Sequence, residues 1–423
     1  MVLYFLFLAS VLLLNSIHVG PFSIRVYFTL IMFLYLFCNK DKLIFNKNYN
    51  AYIYLFLSFI FFKGIALLIN GEFIEYNFVK NFLAHEFVAI VTFYATIYFT
   101  RTERGISFTL LTLSLILLAT SIVTILQYNN SPIGWMIGQF FGELSENAEM
   151  KAMSSTDEMV GISITPGILR TSYGNAMFLS SIGTLAFGLI YVARNRYVKL
   201  LHLLCGLLGL VACFMTQQRS AFYIMLLSFS LIFYLGKGIK PLIICLVVFI
   251  FLPSFMDLSD VLNEETMGRL VLSHNLITDN ARANLTQNAI SFLSEHPFVG
   301  GPMEYFSQNG MPAHNFILNA FIYGGLIGGL ILVVMFFKIQ FLFLNTLFKF
   351  KKISKSLICL IALSSFLLQG LFHNESLVFS STIIFILLPL ALVSSKQEGL
   401  NQFQQNDTIK KGLQVLSGAG SNF

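Results

Sequence analysis

The chain has 423 residues, of which 56% are hydrophobic and only 11% are charged, and its mean hydropathy is +0.77. Soluble domains carry about 25% charged residues, so this composition excludes a soluble enzyme and a disordered protein. A net charge of +6 is too small over this length for a nucleic-acid-binding surface, so no nucleic-acid partner is expected. The apolar runs are continuous, which favours an all-α polytopic integral membrane protein over a β-barrel.

A bilayer core about 30 Å thick takes about 20 apolar residues per helix. Taken in chain order, the apolar runs predict about 12 transmembrane helices. The first run lacks a small-residue cleavage site, so we expect a retained helix rather than a cleaved signal. The predicted spans are 2–17, 22–38, 51–69, 83–100, 106–126, 175–193, 200–215, 221–235, 241–255, 316–345, 357–371 and 376–394.

The loop charges predict the orientation of these helices. When the N-terminus is placed in the cytoplasm, most Lys and Arg residues fall in cytoplasmic segments and few fall outside. Both termini are therefore expected in the cytoplasm, and any chemistry is expected at the external membrane surface, where the long loops lie. The predicted organisation is helices 1–5 in 1–126, an external loop at 127–174, helices 6–9 in 175–255, a large external loop with short helices at 256–315, helices 10–12 in 316–394, and a disordered cytoplasmic tail at 395–423.

Arg219 is the first candidate for a functional role, because it lies between two apolar runs with almost no loop. A guanidinium at the outer membrane boundary offers five donors in a planar fork, which suits a phosphate or pyrophosphate near the headgroups. The alternative is an interfacial anchor that snorkels to the headgroups. The amides of Gln217 and Gln218 favour the binding interpretation, because an anchor needs no polar neighbours at that depth.

The segment that opens with Arg282 holds the second group of candidates. Residues 281–292 have helical spacing, and a loop with Pro297 and several glycines follows. His314 and Asn315 then stand at the mouth of the tenth span. A histidine there can act as a general base, and the asparagine can orient it or bind a sugar hydroxyl. A His-Asn helix cap is the structural alternative.

Other polar residues are less specific. Arg170 precedes the sixth span and His373 lies in the turn before the last span, so each is either a pocket residue or an ordinary surface residue. Lys63 and Glu86 are expected to pair, because charges within spans need partners, and a structural pair is favoured over a proton relay. The glycines at 324, 325, 328 and 329 predict close helix packing. No metal-ligand spacing is present, so neither metal nor cofactor is predicted.

Three motifs of the chain resemble those of the O-antigen ligase and polymerase superfamily, which consists of bacterial inner-membrane glycan transferases. The first is the arginine after a span in TQQRSAF, and the second is Arg282 followed by a His-Pro-x-x-Gly segment that ends at Gly300. The third is His314-Asn315 followed by Leu318, Gly325 and Gly328. The chain departs from the family pattern at residues 301–302, where Gly-Pro replaces a Gly-x-Gly run.

This resemblance implies transfer of a glycan from undecaprenyl pyrophosphate to an acceptor hydroxyl at the periplasmic face of the inner membrane, without a metal. It implies that Arg219 and Arg282 bind the pyrophosphate and that His314 accepts the proton of the acceptor. Arg170 is implied as a further phosphate or glycan contact.

The acceptor separates two members of the superfamily. A polymerase uses a lipid-linked repeat unit, whereas a ligase uses lipid A–core. The Tyr-Gly-Gly after His314-Asn315 and the His-Asn-Glu at His373 favour the polymerase, for which a chain-length regulator is a candidate partner. A protein-glycosylating oligosaccharyltransferase is disfavoured, because such enzymes usually carry a larger C-terminal periplasmic part, whereas this C-terminus is predicted to be cytoplasmic. A lipid-linked oligosaccharide flippase is the alternative from a different class. Transporters place their polar sites near the midplane of the membrane, whereas the candidate residues of this chain are predicted at its outer surface.

Overall fold

The computed structural model describes residues 1–14, 17–40, 47–141, 165, 167–169, 172–216, 218–238, 276–310, 312–313, 315–349, 353–372, 378 and 381–399. At residues 47–48, 172, 219 and 276–283 the description covers the backbone only. These parts of the chain are almost entirely helical, as the composition predicts.

The helices are, in chain order, α1 (Val2–Leu13), α2 (Ile24–Cys38), α3 (Lys47–Ile69), α4 (Phe78–Thr100), α5 (Glu103–Tyr128), α6 (Pro132–Phe141), α7 (Ser172–Leu189), α8 (Arg196–Met215), α9 (Arg219–Lys237), α10 (Leu276–Glu295), α11 (Pro302–Asn309), α12 (Phe316–Lys349), α13 (Lys355–Gln369) and α14 (Thr382–Gly399). Two short antiparallel strands, β1 (His18–Val19) and β2 (Phe22–Ser23), connect α1 to α2.

The chain is a multi-pass membrane protein. Among the described residues, seven helices are long and apolar enough to cross a membrane, namely α3, α4, α5, α8, α9, α12 and α14. Three shorter apolar helices, α1, α2 and α13, add to them. Eleven of the twelve predicted spans coincide with helices. The ninth, 241–255, lies outside the described residues.

Several predicted boundaries differ from the observed ones. Helix α1 ends at Leu13 because the chain then turns through the β1–β2 hairpin, and α6 is a helix within the predicted loop 127–174. Helix α14 continues to Gly399, beyond the predicted end of the span at 394. Gln397 donates to the Arg101 carbonyl at 2.9 Å, and the Glu398 carboxylate accepts from the Ser356 amide, so contacts with the neighbouring helices hold this extension.

Threonines in α4 are buried without a loss of hydrogen bonding. Thr92, Thr96 and Thr100 lie four residues apart, and each hydroxyl donates to the carbonyl one turn earlier. The Tyr4 hydroxyl of α1 also donates to Thr96 at 3.2 Å. These three threonines of α4 are therefore satisfied within the helix bundle.

Contacts between loops agree with the predicted alternation of sides. The Phe316 amide donates to the Gly370 carbonyl at 3.0 Å, which joins two segments predicted on the external side. Lys355, at the opposite end of α13, pairs with Glu103 at the start of α5, and both residues are predicted to be cytoplasmic. The described segments therefore sort into two ends of the bundle.

Candidate functional site

Helix α12 is broken at Gly325, where the backbone is non-helical with φ +62°. The break leaves the Ile322 carbonyl and the Leu326 amide to bond outside the helix. The Gly301 amide donates to the Ile322 carbonyl at 3.0 Å, and the Leu326 amide donates to the Phe298 carbonyl at 3.0 Å. The loop after α10 is thus hydrogen-bonded directly to the broken helix. Two of the sequence motifs meet at this point.

Glycine is required on both sides of this contact. Gly300 and Gly325 both have positive φ, +71° and +62°, which L side chains rarely adopt. A Cβ atom at Gly300 would overlap the Ile322 carbonyl, and one at Gly325 would overlap the Phe298 carbonyl. The prediction that this glycine cluster packs helices is therefore incomplete, because Gly325 ends a helical segment and lets a loop dock.

The neighbouring glycines do pack helices, as the sequence predicts. A Cβ atom at Gly324 would lie 2.8 Å from the Phe59 ring, and one at Gly328 would lie 3.3 Å from Phe62. Both phenylalanines belong to α3. Helix α3 therefore approaches α12 closely on the side of these glycines.

Glu72, just after α3, holds the same loop from the other side. Its carboxylate accepts hydrogen bonds from the Met303 amide at 3.2 Å and from the Glu304 amide at 2.9 Å, at the N-terminus of α11. The Asn70 side chain donates to the Gly300 carbonyl at 3.3 Å. Glu72 is only 7% exposed, and a carboxylate is stabilised at a helix N-terminus. Glu72 is not among the predicted site residues, although an acidic side chain directly after an apolar span was a usable signal.

Helices α10 and α11 pack through aromatic side chains. Phe292 contacts Tyr305 edge-to-face at 5.3 Å between ring centroids, and it stacks on His296 at 4.6 Å. The Tyr305 hydroxyl donates to the Leu285 carbonyl at 3.4 Å, and burial raises the pKa of this phenol. The predicted helix over 281–292 is confirmed, with Ala289 and Phe292 on its buried face.

Asn315 caps α12. Its side-chain oxygen accepts from the Ile317 amide at 2.8 Å and from the Leu318 amide at 3.4 Å. This is the capping role that was the structural alternative for the His-Asn pair, and its Nδ2 is left to donate elsewhere. Two residues before it, Ala313 is fully buried, and its carbonyl accepts from Asn319.

The remaining predicted site residues are described to different extents. Arg219 is the first residue of α9, with the half-buried Gln218 immediately before it. Arg282 lies in α10, which packs against α12. His314, Arg170 and His373 lie outside the described residues. The structure therefore brings the helix of Arg282 to the helix that Asn315 caps, and it leaves the roles of these side chains as predictions.

A buried ion pair lies below the docked loop. Lys63 Nζ lies 2.8 Å from Glu86 Oε1, and both side chains are almost fully buried. Glu86 ends a π-helical turn at Phe82–Glu86 in α4, and such turns often occur at functional sites. The Lys63 ammonium also lies 4.8 Å from the centre of the Tyr76 ring and 5.6 Å from that of Tyr323. The predicted Lys63–Glu86 pair is confirmed.

Within the described ranges, no group of three or more His, Cys, Asp or Glu side chains lies close enough together to hold a metal ion.

The region around the break in α12 is similar to a known protein family. None of the curated proteins matches the chain. Residues 204–333 match the family model described as O-Antigen ligase, a segment that runs from α8 through the break in α12. This match covers less than half of the chain, and it supports the resemblance to the O-antigen ligase and polymerase superfamily that the motifs carry.

Proposed function

We propose that the protein is an O-antigen polymerase. It transfers an undecaprenyl-pyrophosphate-linked glycan to the hydroxyl of another lipid-linked repeat unit at the periplasmic face, in lipopolysaccharide biosynthesis. The observation that carries this proposal is the docking of the loop at 298–301 onto the break at Gly325. This contact joins two motifs of the superfamily at one end of the bundle, which is the end where the loop charges predict the periplasm.

The reaction breaks the bond between the first sugar carbon and the pyrophosphate oxygen, and it forms a bond from that carbon to the acceptor oxygen. His314 accepts the proton of the acceptor hydroxyl as a general base. Arg219 and Arg282 bind the pyrophosphate and stabilise the charge that develops on the leaving group. Because pyrophosphate is a good leaving group, the reaction requires no covalent nucleophile on the protein. The two arginines, rather than a metal, carry the charge stabilisation in this proposal.

Substrate contacts are assigned to residues around these three. Gln218 immediately precedes Arg219 at the start of α9, and its amide is assigned to the same phosphate. The Nδ2 group of Asn315 is assigned to a sugar hydroxyl, since its Oδ1 caps α12. Arg170 and His373 are assigned to the glycan and to the rim of the pocket.

The proposed location is the bacterial inner membrane, with both termini in the cytoplasm. The loops 127–174 and 256–315 are periplasmic in this arrangement, and the second carries the catalytic residues. The partners are the donor, the acceptor repeat unit, membrane lipid and a chain-length regulator. A ligase that attaches finished O-antigen to lipid A–core is the second candidate, because the family model carries the description O-Antigen ligase. The flippase alternative receives no support from that match.

Deletion of the gene separates the polymerase from the ligase. Loss of a polymerase leaves lipopolysaccharide that carries one repeat unit, whereas loss of a ligase leaves bare core and an accumulation of lipid-linked polymer. Electrophoresis of lipopolysaccharide from the deletion strain reads out the two patterns directly. We expect the single-repeat pattern, and bare core would assign the protein to the ligases. Unchanged long chains would contradict both assignments.

A further inference from the structure

A cavity lies at the opposite end of the bundle from the docked loop. Its volume is about 510 Å³, and it lies between α5, α7, α8 and the start of α13. Its walls include Phe108, Leu111, Val192 and Val198, and its rim is polar. This is the end where the loop charges predict the cytoplasm, so the cavity is separate from the proposed catalytic site.

The rim carries an excess of positive charge. Arg104, Arg194 and Lys355 line the cavity, and Glu103 is the acidic residue among its lining side chains. Glu103 pairs with Lys355. Both arginines are exposed, and in the part of the chain that the structure describes neither has an ion-pair partner. The rim therefore offers two guanidinium groups to an anion, and guanidinium groups bind phosphate in bidentate geometry.

Two helix starts add to this positive potential. The Thr102 hydroxyl caps α5 by accepting from the Gly105 amide at 3.1 Å, and the Asn195 side chain caps α8 by accepting from the Tyr197 amide at 2.8 Å. Glu103 and Arg104 at the start of α5 and Asn195 at the start of α8 line the cavity, so both helix N-termini lie at its polar end, where they favour an anion.

The apolar wall continues onto the outside of the bundle. Leu111 lies one turn before Leu115 in α5, and Ile122 follows two turns later on the same face. Leu115 is 42% exposed and Ile122 is 45% exposed. In a membrane these side chains face lipid. An acyl chain along this face has its headgroup end at the arginine rim.

We propose that this cavity binds an anionic phospholipid of the cytoplasmic leaflet. Arg104 and Arg194 bind the headgroup phosphate, and an acyl chain lies along Leu111 and Leu115. Charge complementarity favours an anionic lipid over a zwitterionic one, because the rim has more positive than negative groups. Basic pockets between membrane helices on the cytoplasmic side are suited to anionic headgroups.

The test is native mass spectrometry of the purified full chain in detergent, titrated with dioleoyl-phosphatidylglycerol or with dioleoyl-phosphatidylcholine. The variant R104Q/R194Q removes both rim charges. The control K199Q/K237Q removes two exposed charges at the same end that do not line the cavity. We expect phosphatidylglycerol to bind roughly 30-fold more weakly to R104Q/R194Q, whereas the control binds it like the wild type. Binding of phosphatidylcholine should be weak and equal in all three proteins.

Equal loss in the control would overturn the proposal, since it would reflect net charge alone. Equal binding of the two lipids to the wild type would also overturn it. Leu111→Trp fills the apolar part of the cavity and keeps every charge, so it decides the matter if R104Q/R194Q fails to fold. Unchanged binding of phosphatidylglycerol to Leu111→Trp contradicts the proposal. A parallel titration with inorganic phosphate distinguishes a site for a free anion from a site for a lipid. If phosphate binds as tightly as phosphatidylglycerol, the site does not recognise a lipid and the proposal is wrong.

Discussion

The backbone amide of Leu326 donates to the carbonyl of Phe298 at 3.0 Å, so the loop after α10 and the broken helix α12 share a hydrogen bond. The contact exists because Gly325 leaves the helical conformation. It fixes the position of the loop relative to the start of α12, where the proposed general base is followed by Asn315. The geometry of the proposed site therefore depends on a backbone contact about ten residues from it in sequence.

Gly325→Ala should lower the thermal melting temperature and shorten the surface glycan. An L residue in the left-handed region costs about 1–2 kcal/mol, and the overlap with the Phe298 carbonyl adds to this cost. Gly310→Ala is the matched control, because Gly310 has φ +71° but no atom within 4 Å of an added Cβ. Equal effects of the two substitutions would show that the docked loop contributes nothing.

Glu72→Gln should loosen α11 without unfolding the bundle. The substitution removes the charge at the helix N-terminus and one of the two acceptors, at a cost of about 1–2 kcal/mol. Hydrogen–deuterium exchange should therefore accelerate in residues 302–309. Glu75→Gln changes an exposed carboxylate in the same loop and should leave exchange unchanged. If exchange in residues 302–309 is as slow in both variants as in the wild type, Glu72 does not stabilise the start of α11.

Lys63→Met should destabilise the protein strongly, because it leaves the Glu86 carboxylate buried without its counter-charge. Breaking a buried pair typically costs about 3–5 kcal/mol. The double variant K63M/E86Q should recover most of this loss, since it removes both charges. Thermal melting in detergent of the wild type, K63M, E86Q and K63M/E86Q completes a double-mutant cycle. Additive losses would mean that the two groups do not stabilise each other.

His314→Ala and Arg219→Ala should each abolish long glycan chains while protein levels stay normal. Loss of a general base typically lowers a rate by about 100-fold or more. Arg219→Lys should restore little activity, because an ammonium lacks the planar fork of donors. His18→Ala alters an exposed histidine of the β1–β2 hairpin and should leave the glycan unchanged. Normal chains in both alanine variants would contradict the proposed function.

The sequence predicted the features that follow from hydrophobicity and from pairing rules. The spans follow from long apolar runs, and Lys63 with Glu86 follows from the cost of isolated charge in a membrane. The helix over 281–292 follows from its periodicity. These signals are local in sequence, or they depend on a pair of rare residues, so they are visible without coordinates.

The break at Gly325 and the role of Glu72 were not predicted, because both depend on backbone groups that are distant in sequence. Four glycines in one span are compatible with close packing or with a helix break, and composition does not separate the two. Only the carbonyl of Phe298, brought up by the preceding loop, distinguishes Gly325 from Gly324. Asn315 likewise had two interpretations, and only its contacts with the following amides favour the cap.

The length of α12 has a consequence for the response of the protein to its lipid surroundings. Residues 326–349 alone form about 36 Å of helix, which already exceeds a hydrocarbon core about 30 Å thick. Residues 316–324 are therefore not needed to span the hydrocarbon core. They are hydrogen-bonded to the loop at 298–301 and to Gly370. When bilayer thickness changes, we expect the longer segment to tilt while the shorter one keeps its distance from the loop. Because of the break at Gly325, we expect hydrophobic mismatch to leave the geometry of the proposed site unchanged.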